Sequence, residues 1–113
     1  MDINIVVDHQ SKLRMNDAAE KLEKYFQDNN IKTYGKDIIV IFSNDHNFVR
    51  NVVLKGLNSN MIINVTENLS EQHVINTLKY VTDICYLKTD VNLIATRIIC
   101  AYNRNKAKLG VRV

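Results

Sequence analysis

The chain has no tryptophan, no proline, only three glycines and only two cysteines in 113 residues. Each shortage excludes something. Without proline, and with Gly35, Gly56 and Gly110 standing alone, no linker or low-complexity tract divides the sequence. No glycine lies in the first strand-to-helix turn, which argues against the usual dinucleotide-binding fold and against a Walker-type nucleoside triphosphatase. Aromatic residues make up 7% of the chain, so the core is built from Ile, Val and Leu, and no aromatic ladder is available for stacking bases. Cys85 and Cys100 lack the paired spacing of a zinc site and sit among apolar residues, so both read as buried free thiols. No cofactor and no resident metal is expected. No apolar run reaches the ~18 residues of a membrane span. The start "MDINIVVDHQ" has an acid at position 2 and an apolar run that stops at Asp8, unlike a secretory leader. Together these point to a cytoplasmic protein with no membrane partner.

What is present is a core-forming fraction: 46% of residues are apolar, enough for one domain without metal or disulfide support. Ile3–Val7 is a short β-branched run and reads as a strand. Ala18, Ala19, Leu22, Tyr25 and Phe26 recur at three- and four-residue spacing and predict a helix capped by Asn16 and closed at Asn29-Asn30. Ile38–Phe42 is apolar without alternation, as expected of a strand covered on both faces. Helical spacing follows at Phe48, Val49, Val52, Val53 and Leu57. A third short run spans Met61–Val65, broken by Asn64. Ser70 caps a helix through Val74, Ile75, Leu78 and Val81. His73 lies beside these apolar positions and reads as a boundary or surface residue. Ile84–Leu87 fits either a strand or a continued helix. Thr89 or Asp90 caps a last helix that Gly110 stops, and Val111–Val113 reads as a final strand.

Alternating strands and helices predict an α/β fold: a three-layer sandwich with a small, mainly parallel sheet of four to five strands. Right-handed crossovers would place helices on both faces. If Val81–Lys88 were helical, a two-layer α+β domain would replace it.

The functional reading follows from the parallel sheet. Ligands bind outside the carboxyl ends of such strands, where the strand order reverses. That rim would gather Asp8, His9, Asn44, Asp45, His46, Glu67 and Lys88. The two Asp-His pairs would share one cleft there. The rim suits recognition of a small anionic or nucleotide-like ligand, or of a protein partner. A second possibility is a metal-dependent or His-dependent hydrolase, although Ser43 lacks the glycines of a nucleophile elbow. Asp, His, Asn and Ser also accumulate after strands simply because they satisfy local backbone groups.

Charge offers an alternative. Residues 1–77 carry 8 basic and 10 acidic side chains, whereas residues 78–113 carry 7 and 2. Arg97, Arg104 and Lys108 fall on one face of the last helix at 100° per residue. They form a candidate anion-binding face, and nucleic acid is the alternative partner. Short apolar edge strands would favour a homo-oligomer.

Overall fold

The computed structural model describes residues 2–8, 10, 13–33, 37–55, 61–88 and 90–110, and of 13, 14 and 105–110 the backbone only. Eight elements alternate: β1 (Ile3–Val7), α1 (Leu13–Asp28), β2 (Ile38–Phe42), α2 (His46–Leu54), β3 (Met61–Thr66), α3 (Glu71–Leu78), β4 (Asp83–Tyr86) and α4 (Val91–Gly110). The sheet has four strands in the order β1-β2-β3-β4, all parallel. This is the expected three-layer α/β sandwich. The ambiguous segment near residue 84 is a strand, so the α+β alternative falls away. The expected final strand at Val111–Val113 lies outside the described residues.

Alternation along each strand sorts the core into two halves. Ile3, Ile38, Val40, Phe42, Met61, Ile63, Val65 and Cys85 face one side. There they meet Met15, Ala18, Ala19, Leu22 and Phe26 of α1 and Ile94, Ala95 and Ile98 of α4. Ile39 and Ile41 face the other side and meet Val49 of α2 together with Val81. α3 lies beside α2 on that side. Every residue of β2 is buried, as its unbroken apolar run requires of a central strand between two helical layers.

Local signals account for most boundaries. α1 ends in a Schellman turn: Ile31 N–H donates to Phe26 O at 2.8 Å and Asn30 N–H to Gln27 O at 3.1 Å. Asn30 takes a positive φ of 61°, which asparagine tolerates better than most residues. Ile31 then packs on the core. α2 is capped by Asp45, whose carboxylate accepts from Asn47 N–H, and α3 by Ser70, whose hydroxyl accepts from His73 N–H. Two expectations fail. Asn16 does not cap α1: the helix starts at Leu13, and Asn16 is an exposed residue within it because buried Met15 already belongs to the apolar stripe. Cys100 is exposed on α4, two residues past Ile98 of the inward row Ile94-Ala95-Ile98; of the two expected buried thiols, Cys85 is buried.

The topology also departs from expectation. The order never reverses, yet α1 and α2 cover opposite faces. Two crossovers that step the same way across a sheet but over opposite faces have opposite hands. The crossovers through α1 and α2 therefore cannot both be right-handed, an exception to a strong rule. The helices that follow β1 and β2 lie on opposite faces without any reversal of order.

The two-layered core predicts a sharp contrast between substitutions. Phe26 is fully buried and Leu54 is 67% exposed. Phe26→Ala should lower unfolding free energy by about 3–5 kcal/mol, and Leu54→Ala should change it by less than about 0.5 kcal/mol, both read from urea denaturation.

Candidate functional site

The carboxyl-end rim is built from the last residues of the strands. Asp8 is nearly buried where β1 ends, and Ser43 is fully buried where β2 ends. Ser43 Oγ donates to Asp8 Oδ2 at 2.9 Å, tying the end of β2 to the end of β1. The same Oγ accepts from Asp45 N–H at 3.0 Å. Asp8 Oδ1 accepts from Gln10 N–H at 3.0 Å, closing the turn after β1.

The next stretch of rim is tied by Asn44. Its Oδ1 accepts from Thr66 Oγ1 at 2.9 Å and from Glu67 N–H at 2.7 Å. Its carbonyl accepts from Asn68 Nδ2 at 3.2 Å. Asn68 Oδ1 in turn accepts from Ser70 N–H at 3.0 Å, just before α3. At the far end Lys88 is exposed, with Nζ 6.0 Å from the centre of the Tyr86 ring. Asp90 Oδ1 accepts from Asn92 N–H at 2.8 Å and opens α4. Asp8, Asn44 and Asp45 thus each serve a neighbouring connection. Of the two Asp-His pairs, Asp45-His46 resolves into a helix cap and a first helical residue. His9 lies outside the described residues, and so does the question of whether His9 and His46 face one cleft.

Beneath the rim sits a group that the sequence did not single out. Asn64 is fully buried in β3, on the side facing α2 and α3. Its Nδ2 donates to Ile41 O at 3.0 Å and Ser43 O at 3.1 Å. That leaves Oδ1 as an acceptor, and His73 Nε2 stands 2.9 Å from it. An acceptor on Asn64 requires Nε2 to carry the proton. His73 is then the neutral Nε2–H tautomer, with its lone pair on Nδ1. Thr77 Oγ1 also approaches Nε2, at 3.4 Å. Among the described residues, Nδ1 has no hydrogen-bond partner. His73 is 1% exposed, which corrects its reading as a boundary residue. Its ring lies edge-on to His46, centroids 6.4 Å apart. Burial holds the His73 pKa below its ordinary value, the His46 charge pushes it the same way, and Asp45 opposes both. The signal that could have found this group was Asn64 itself. A polar side chain inside an apolar strand between two layers must find partners.

The basic face of α4 lies elsewhere. Arg97 and Arg104 are exposed, and both line a cleft of about 230 Å³ with Thr96 and Cys100 of α4, Asp83 and Cys85 of β4, and Ile63 of β3. Asp83 is the first residue of β4 and Ile63 lies midway along β3, so the cleft sits toward the amino ends of these strands, away from the rim. The Lys108 side chain lies outside the described residues. Among the described residues, no three His, Cys, Asp or Glu side chains are grouped so as to hold a metal ion, and no helix is long and apolar enough to cross a membrane.

The His73 geometry sets a pH dependence. A histidine with a depressed folded-state pKa leaves stability intact above its unfolded value of about 6.5. Stability then falls as the pH drops below that value, because the unfolded chain takes up the proton first. Unfolding free energy should decline as the pH falls below about 6.5, and His73→Gln should flatten that part of the curve. Asn64→Ala should cost about 2–4 kcal/mol at pH 7, since it strands two buried carbonyls at the end of β2 and His73 on α3. Compared with known proteins, the chain matches no family, no curated protein and no solved structure.

Proposed function

We propose that this protein is a small binding domain for an anionic ligand, held in the cleft between α4 and β4 rather than at the carboxyl-end rim. The observation that carries this reading is the pairing of Arg97 and Arg104 on one cleft wall. Seven residues apart, they project from the same helix face two turns from each other. Guanidinium groups so placed offer forked donors to a phosphate or carboxylate.

The rim supports an anion less well. Asp8, Asp45 and Glu67 make it acidic, and Ser43, Asn44, Thr66 and Asn68 are engaged with one another or with backbone groups. Asp45 also occupies the positive end of α2, where an anion would otherwise be favoured. Nucleic acid would use the same arginines, but the cleft lining holds no aromatic ring on which bases could stack.

Isothermal titration with inorganic phosphate at low salt tests the reading. Arg97→Ala and Arg104→Ala should each weaken binding about five- to thirtyfold, the equivalent of roughly 1–2 kcal/mol. Both side chains are exposed, so the variants should keep the parent's circular dichroism and melting temperature. Affinity unchanged in both variants would contradict the proposal.

A further inference from the structure

Resting on the anion-binding reading, we infer that the ligand class is a hydroxylated phosphomonoester about the size of a sugar phosphate, and not a nucleotide. The cleft is chemically two-sided. Arg97 and Arg104 supply only donors. Opposite in character are Thr96 and Asp83, which also line it.

The hydroxyl of Thr96 has already spent its proton: Oγ1 donates to Asn92 O at 2.8 Å, one turn back on α4. Toward the cleft it can act only as an acceptor. Asp83 Oδ1 accepts from Ile84 N–H at 2.8 Å, and a carboxylate has further lone pairs to offer. Two acceptors beside two cations are poorly matched by a small anion alone, which leaves one of the acceptors unmet and is repelled by Asp83. A phosphomonoester whose carbon skeleton carries hydroxyl groups matches both halves. Its phosphate meets the guanidinium groups, and its hydroxyls donate to Thr96 and Asp83.

Size and lining argue against a nucleotide. The cleft measures about 230 Å³, below the roughly 300–1,000 Å³ of pockets that hold drug-sized ligands. Ile63, Cys85 and Cys100 are its non-ionic, non-hydroxylated lining, and none presents a ring to a base. Ile63 and Cys85 are buried and form an apolar floor for the carbon skeleton.

The test is a titration series at low salt with four probes: inorganic phosphate, a hexose monophosphate, the free hexose and adenosine monophosphate. The hexose monophosphate should bind at least tenfold more tightly than inorganic phosphate and than adenosine monophosphate, and the free hexose should not bind. Asp83→Asn should narrow the gap between the hexose monophosphate and inorganic phosphate while leaving the affinity for inorganic phosphate unchanged or higher. Adenosine monophosphate binding as tightly as the hexose monophosphate, or an unaltered gap in Asp83→Asn, overturns this inference and leaves the anion site standing. Binding of all phosphates that ignores Arg97→Ala and Arg104→Ala, or no binding of any probe, overturns the anion site and the inference with it.

Discussion

One buried amide holds the carboxyl half of this domain together. Asn64 is fully buried inside a strand, so both ends of its side chain need partners. Its amino group fastens two carbonyls at the end of β2, and its oxygen fastens α3 through His73. Three elements share that one side chain. The direction of the amide decides the tautomer of His73, and the tautomer leaves a lone pair on Nδ1 in a buried place. Among the described residues, a proton arriving there finds no hydrogen-bond partner, and it has a second histidine for a neighbour. The same group that locks the sheet to α3 is therefore the one that acid would disturb.

The rim above Asn64 is the continuation of this clamp. Ser43 passes the connection to Asp8, just past β1, and Asn44 passes it to Thr66 and Glu67 at the end of β3. Parallel strands end in loops that leave for different faces, and each loop starts with backbone groups that have lost their ladder partners. In this chain the first two crossovers have opposite hands, and the Ser43–Asp8 bond ties the ends of β2 and β1 together. Polar residues that could be taken for a ligand site are engaged in closing the end of the sheet. Arg97 and Arg104 lie in a different cleft, where α4 passes β4.

Much of the fold was legible because its strongest signals are local. The unbroken Ile38–Phe42 run could only be a central strand, Ser70 had a cap's residue type and position, and Asn29-Asn30 closes α1 through a Schellman turn that asparagine favours. β4 was ambiguous because four apolar residues carry too little periodicity to separate strand from helix. The start of α1 was misplaced because asparagine caps helices but also occurs on their exposed faces. Of the candidate site residues, sequence spacing placed Arg97 and Arg104 on one face, and they do share a cleft. What spacing could not supply was the other wall of that cleft, since Asp83 and Cys85 come from a strand whose identity was uncertain. Asn64 looked like a blemish in a strand, and His73 a bystander on a helix. Only their partnership, nine residues apart in sequence and across two layers in space, makes sense of either.

Nitrogen-15 and proton NMR of the His73 imidazole tests the clamp most directly. At neutral pH the ring should be neutral, with its proton on Nε2 and an unprotonated Nδ1, and should titrate below the ordinary histidine value. A proton on Nδ1, or a ring that titrates at or above that value, would contradict an amide-fixed, buried imidazole as the link between the sheet and α3.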